Sequence, residues 1–335
     1  MDILNALVAV LNFVVIPAAA YGAQLALGAL GVTLIYGILR FSNFAHGDTM
    51  AFGTAVTILV TWGLQSLGVS LGPLPTALLA LPVGIAATAL LVLATDRVVY
   101  RFYRVQKAAP IIFVMASVGV MFVMNGLTRL LIGVDDQRFD DGARFIINVR
   151  DFREWTGLAE GLALRSTQAL TLVVTAIVCA ALFWFLNRTK SGKAMRAYSD
   201  NEDLALLSGI DPERVVRLTW IIAAALITIA GVLYGLDKSF RPFNYFQLLL
   251  PIFAAAIVGG LGSPIGAIAG GFLVAFSEVA VTYPWVKVAG YLAPGWEPGG
   301  LLQLLGTEYK FAVSFVILIV VLLFRPTGLF RGKSV

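Results

Sequence analysis

The chain has 335 residues, of which 59% are hydrophobic and only 13% charged, and its formal net charge is +5. An average soluble domain carries about 25% charged residues, so too little polar surface remains here to cover a water-soluble globule. These values exclude a disordered chain, a secreted disulfide scaffold and a nucleic-acid module, and they specify an all-α polytopic membrane protein.

A spanning helix needs about 20 apolar residues. Windows of that length give about ten hydrophobic segments, at 3–20, 21–39, 44–62, 76–95, 110–132, 168–187, 216–236, 247–262, 264–282 and 309–325. Eight to ten of them are expected to be complete spans. Asp2 stands where a signal peptide needs a basic residue, so the first segment reads as a retained span. The first three segments crowd together around Pro17, Gly22 and Ser42-Asn43. The pair near 247–282 is interrupted by Gly259-Gly260 and Gly262-Ser263-Pro264. A helix that breaks within the membrane is tolerated only where protein or a water-filled cavity satisfies its backbone.

Basic residues orient the segments. Arg97, Arg101, Arg104 and Lys107 follow the fourth. Arg188, Lys190, Lys193, Arg196, Arg214 and Arg217 fall in or beside the stretch 188–215, and Arg325, Arg331 and Lys333 close the chain. With ten alternating segments all three groups share one side, which the positive-inside rule makes the cytoplasm. Both termini are then cytoplasmic. The loop 63–75 holds no Lys or Arg, and the loop 133–167, with Asp135, Asp136, Asp140 and Asp141, lies on the periplasmic side. Residues 1–335 form one transmembrane domain.

Chemistry is scarce along the chain. One cysteine, Cys179, and one histidine, His46, allow no internal disulfide, no CxxC pair and no His-cluster metal site. Gly328 to Ser334 reads GLFRGKS but lacks the first glycine of a phosphate-binding loop, since position 327 is Thr327. Gly260-Leu261-Gly262 opens a GxGxxG that Ile265 fails to complete. Within the segments Glu278 is the main charge, with Asp48, Arg129 and Asp237 near segment ends. One buried carboxylate without a partner does not make a proton relay. A pump built on this chain takes its energy from another subunit. Paired carboxylates, a Ser–Lys pair and a metal cluster are all lacking, so the chain is not expected to be an enzyme, nor to bind a metal or cofactor.

Polar residues inside the segments each have two readings. Asn43, His46 and Asp48, beside Gly47, form either a helix break that lines or gates a path, or a solvated cytoplasmic loop. Glu278 makes either a hydrogen bond to a neighbouring helix or a contact to a substrate ammonium. Gln24 and Asn125 read as inter-helix bonds. Gly262, Gly266 and Gly270, beside the row Gly259, Ser263, Ala267 and Gly271, read as close helix packing or as a sliding or heterodimer interface, with a turn at Pro264. Trp62, Trp155, Tyr283, Trp285, Tyr291 and Trp296 read as interfacial anchors on the outer side.

The stretch 188–215 is the most informative. Ser199-Asp200-Asn201-Glu202 matches a capping box, and the helix it opens ends near Gly209. Asp211 caps the next helix, with Pro212 in its first turn. Ala205, Leu206, Leu207 and Ile210 give a small apolar patch. This is either a loop helix resting on the membrane or a docking site for a cytoplasmic partner.

Gly192, Met195-Arg196-Ala197, Asn201, Ala205 and Gly209-Ile210 resemble the coupling loop of ABC importer permeases of the high-affinity branched-chain amino acid (Liv-type) family. Leu27 to Gly37 with Asn43 to Gly47, Val258 to Ala267, and Phe324 to Phe330 resemble further signatures of that family, in the same order. Arg40-Phe41-Ser42 departs from its pattern. The resemblance implies a multi-subunit importer in a bacterial inner membrane. Two similar permeases form the path, two cytoplasmic ATPases spend ATP, and a periplasmic binding protein delivers solute. It implies alternating access for branched-chain amino acids, with urea, amides or another small polar solute as the alternative cargo. The helices at 193–210, with Leu206 among the coupling residues, would carry the motion. A self-sufficient channel or ion-coupled carrier is the reading from a different class.

Overall fold

The computed structural model describes residues 2–139, 145–293 and 302–330. Asp140, Asp141, Trp296, Arg331 and Lys333 lie outside the described residues. The fold is a helical bundle, with one two-stranded ribbon of Phe145–Ile147 and Leu164–Arg165.

The first helix, α1, runs unbroken over Asp2–Leu39. It was expected as two segments divided near Pro17. Proline lacks the N–H for the bond to residue i−4 and its ring crowds that carbonyl. Here the turn Leu11–Val15, just before Pro17, is a π-turn. A widened turn of this kind absorbs the mismatch, and the helix continues. At 1.5 Å per residue α1 is roughly 57 Å long, well beyond the ~30 Å hydrocarbon thickness.

The remaining helices are α2 (His46–Ser66), α3 (Ala77–Val105), α4 (Pro110–Ile132), α5 (Val149–Thr156), α6 (Ser166–Arg188), α7 (Lys190–Asp200), α8 (Glu202–Leu207), α9 (Pro212–Lys238), α10 (Pro242–Gly259), α11 (Pro264–Thr282), α12 (Val286–Leu292) and α13 (Lys310–Phe324). Seven among the described residues are long and apolar enough to cross a membrane, namely α1, α3, α4, α6, α9, α10 and α11. The others of useful length, α2 and α13, pack alongside them. Proline opens α4, α9, α10 and α11 in the first turn, where its missing N–H has no intrahelical partner to lose.

Burial sorts centre from edge. In α9, 72% of the most apolar window is buried, against 22% in α6. The core is formed by α1, α2, α9, α10 and α11. Peripheral α6 shows most of its apolar surface outward, as a lipid-facing helix does.

The two ends of the bundle differ. At one end, Gln137 pairs with Phe240 through two backbone bonds of 2.8 Å, and Trp62 Nε1 donates to the Arg138 carbonyl. Tyr283, Trp285 and Tyr291 cluster there too, and the Tyr291 hydroxyl donates to Glu160. At the other end, the Arg40 guanidinium donates to the Ser199 carbonyl at 2.8 Å.

The first and last described stretches of the chain lie at opposite ends of the bundle, where a shared end was expected for the termini. Asn5 accepts bonds from the backbone N–H groups of Ala159 and Glu160, and Asn12 from Ala163, so α1 starts at the loop end. Leu329 and Phe330 donate to the carbonyls of Val258 and Gly259, where α10 finishes at the basic end. Two expected segments are thus fused into the single helix α1.

Candidate functional site

The polar break between α1 and α2 lies inside the bundle. Arg40 ends α1 in the left-handed region, at φ 56°, and turns the chain. Asn43 Oδ1 then accepts from the Ala45 N–H at 3.1 Å and from the Tyr100 hydroxyl at 3.2 Å. Ser117 accepts from the Phe44 N–H at 3.1 Å. The N–H groups just ahead of α2, on Phe44 and Ala45, are thus satisfied by side chains.

His46 and Asp48 follow, at 1% and 0% exposure. The solvated-loop reading of this cluster is therefore overturned. His46 Nε2 lies 3.0 Å from the Gly28 carbonyl. A carbonyl only accepts, so Nε2 carries the proton. Gly31 makes room for the ring, since a Cβ there would stand 2.9 Å from His46 Cε1. Asp48 Oδ1 accepts from Asn125 Nδ2 at 2.6 Å, while Oδ2 is buried with no hydrogen-bond partner among the described residues. A carboxylate in the first turn of a helix is favoured by the helix dipole. The gap enclosed by Asn43, Thr49, Tyr100 and Trp220 is only about 10 Å³, room for one water at most.

Glu278 sits apart from that cluster, 2% exposed on α11. Ser314 of α13 donates to its Oε1, and the Lys310 ammonium acts electrostatically on the same carboxylate, while Oε2 is buried with no hydrogen-bond partner among the described residues. The partnerless carboxylate expected from the sequence therefore has a partner, and Asp48 and Asp96 are further buried carboxylates elsewhere in the bundle. Gln24 and Asn125 do bridge helices, Gln24 by donating to the Leu233 carbonyl.

The glycine rows divide by position. Gly259 and Gly266 meet backbone to backbone, and Gly270 meets the Ala255 carbonyl, so α10 and α11 touch with no side chain between them. Gly262 takes no part in this contact. It sits in the connecting turn at φ +85°, with open space around it. Ser263 caps α11 by accepting from the Gly266 N–H, and Pro264 follows at N1.

At the basic end, Thr189 caps α7 by accepting from the Gly192 N–H at 3.0 Å. Gly192 packs on the backbone of Phe185 and Leu186, which folds α7 back against α6. Asn201 caps α8 by accepting from the Leu204 N–H at 3.0 Å. The expected cap at Ser199 is corrected, because Ser199 and Asp200 still belong to α7. Gly209 closes α8 at φ +79°, and Asp211 caps the long α9. Ala205 is buried, Ile210 is half-buried, and Arg196, Ala197 and Leu206 are exposed. The exposed patch includes Leu204, at 61%, and Leu207, at 85%. Tyr198 donates to Glu202 at 2.6 Å. Burial, and then the bond to that carboxylate, push its phenol above the ordinary value.

A buried network beneath these helices escaped the sequence reading. Asp96, 4% exposed, accepts two bonds from Arg104, at 2.9 and 3.1 Å, and one from Trp220 Nε1 at 2.8 Å. Arg104 also bonds Glu213 at the start of α9. The Asp96–Arg104 spacing of eight residues was readable as one helix face, but the Trp220 partner lies 124 residues away. Among the described residues no group of three or more His, Cys, Asp or Glu is placed to hold a metal.

Comparison with known proteins agrees with this architecture. Residues 15–322 match the family described as branched-chain amino acid transport system / permease component. The chain is 31% identical over 319 residues to the high-affinity branched-chain amino acid transport system permease protein LivH of Escherichia coli K12, covering 94% of this chain and 93% of that one. It is 29% identical over 320 residues to the high-affinity branched-chain amino acid transport system permease protein BraD of Pseudomonas aeruginosa, with 94% of each chain covered. It is 28% identical over 151 residues to the permease protein LivM of Escherichia coli K12, covering 42% of this chain and 36% of that one. No solved structure matches. The chain belongs to the branched-chain amino acid transport permease family and is a multi-pass transmembrane permease subunit.

Proposed function

We propose that this chain is one transmembrane half of an ATP-driven importer of branched-chain amino acids in a bacterial inner membrane. The observation that carries this reading is the basic end. Of the two short capped helices there, α8 presents Leu204, Leu206 and Leu207 outward, beyond the span ends and amid exposed lysines and arginines. An apolar patch of this kind suits a groove on another protein. The basic surround makes that side the cytoplasm.

In this reading nine helices cross, namely the seven apolar ones with α2 and α13. The N-terminus then faces the periplasm and the C-terminus the cytoplasm. Two ATPases dock on α7 and α8 and spend ATP, and this chain binds no cofactor of its own. Gly192, Arg196, Ala197, Asn201, Ala205, Leu206, Gly209 and Ile210 shape the docking segment. A second, similar permease completes the path, and a binding protein delivers solute at the loop end. The match to LivM supports a pair of related permeases.

Asn43, His46 and Asp48 form the closed constriction of the path, and Glu278 stands outside it as a helix-to-helix bond. Alternating access then means that motion at α7 and α8 opens the break between α1 and α2. The cluster supports this because α1 joins the two places, with Arg40 on Ser199 and Gly28 on His46.

The test is uptake of radiolabelled leucine by cells or vesicles with all subunits expressed. Leu204→Glu with Leu207→Glu should abolish uptake and co-purification of the ATPase while the permease stays inserted. Undiminished uptake by that variant would refute the ABC reading and favour a self-sufficient channel or carrier.

A further inference from the structure

Between α6 and α9, on the lipid-facing side of the bundle, lies a groove of about 240 Å³. Val178, Leu182 and Phe185 line it from α6, and Ile221, Ala225 and Ile229 from α9. All nine lining side chains are hydrocarbon. Such a surface within the membrane offers nothing to water and nothing to a polar solute.

The groove does not end in hydrocarbon. On α9 the row Ile229, Ala225, Ile221 steps by four residues, and the next step is Arg217. On α6 the row Ala181, Phe185 continues one turn on at Arg188. Residues at such spacing share a helix face. Two antiparallel helices thus carry the apolar floor to the basic end, and each finishes it with an arginine. Both arginines are exposed. Neither has a carboxylate partner among the described residues, although Arg217 Nε bonds the Glu213 carbonyl. By contrast, Arg101 and Arg104, near the same end, are both paired with Glu213.

We infer that this groove binds an anionic phospholipid, with an acyl chain between α6 and α9 and its phosphate between Arg188 and Arg217. Arginine suits a phosphate because its planar fork donates two parallel bonds. The spacing suits a lipid as well. Arg217 precedes Ile221 by one turn, about 6 Å along the axis, so the charge stands at headgroup depth where the acyl floor begins. Basic pockets between spans on the cytoplasmic side select anionic headgroups over zwitterionic ones. A transmembrane helix of a second permease would fill the apolar floor but leave the arginines without an anion.

The experiment uses the full chain purified in mild detergent with its co-expressed subunits. Native mass spectrometry counts retained lipid, and thermal melts are recorded with added phosphatidylglycerol or phosphatidylcholine. The wild type should retain and be stabilised by phosphatidylglycerol in preference. Each arginine near the headgroup should account for about 5-fold in affinity, and Arg188→Gln with Arg217→Gln for roughly 30-fold. The double lysine variant, which keeps the charge and loses the paired bonds, should bind between the wild type and the double glutamine variant. Ala225→Phe, which fills the floor and keeps both charges, should also lose it. A phosphatidylglycerol with a diazirine in its acyl chain should label residues 178–185 and 221–229. Equal phosphatidylglycerol binding by the wild type and the double glutamine variant would overturn the inference. So would capture of a polypeptide, rather than lipid, by a photo-reactive residue placed at Ile221.

Discussion

Asn125 of α4 donates a 2.6 Å hydrogen bond to Asp48 in the first turn of α2, across 77 residues of sequence. The carboxylate is fully buried and its second oxygen has no hydrogen-bond partner among the described residues. Hydrogen bonds to charged groups contribute about 1.5–3 kcal/mol, and their loss leaves the charge stranded. Asn125→Ala should therefore lower stability by about that amount, read as a drop in melting temperature in detergent. Asp48→Asn, which removes the charge and keeps an amide in place, should cost less. An Asn125→Ala protein as stable as wild type would show that the bond contributes nothing.

Two glycines near the α10–α11 turn should respond differently to substitution. A side chain at Gly266 lands on the Gly259 carbonyl, where backbone cannot swing aside. Gly266→Val should cost about 3 kcal/mol, the upper end of the overpacking range. At Gly262 only the positive φ resists, with open space around it. Gly262→Ala should cost about 1 kcal/mol. Parallel melts check the order, and equal losses would show that α10 and α11 are not in backbone contact.

Removing the anion of the Asp96 network leaves Arg104 and Trp220 without their shared acceptor. Breaking a buried pair from one side costs about 3–5 kcal/mol. Asp96→Ala should reach that range in thermal melts, while Arg101→Ala, on an exposed and longer 3.6 Å pair, should cost less than about 1 kcal/mol.

The Tyr198 phenol titrates above its ordinary value, so the folded state holds its proton where the unfolded chain begins to lose it. Its contribution is fully present below pH ~10 and declines as pH rises beyond that. Melting temperature should fall with pH in the alkaline range, and Tyr198→Phe should flatten that slope. An unchanged slope would assign it to other groups.

Much of the bundle was legible because its punctuation is local. Pro110 and Pro264 open α4 and α11 where the sequence placed them, and Thr282 closes α11 at the expected residue. Gly209 and Asp211 kept their terminal roles. Pro17 misled because hydropathy windows carry no information on the width of the preceding turn. The His46–Asp48 cluster was legible as polar but not as buried, since depth depends on where α1, α4 and α9 close around it. Asp96 was missed for the same reason, as its indole partner arrives from a helix far along the chain.

The unbroken first helix has a mechanical consequence. Asn5 and Asn12 fasten its start to the loop at 159–163, and Arg40 fastens its finish to Ser199. One strut therefore reaches both ends of the bundle, and its sole π-turn lies near the anchorage at Asn5 and Asn12. Displacing one anchorage of such a strut loads the other, and the free energy coupling the two ends is the same in either direction.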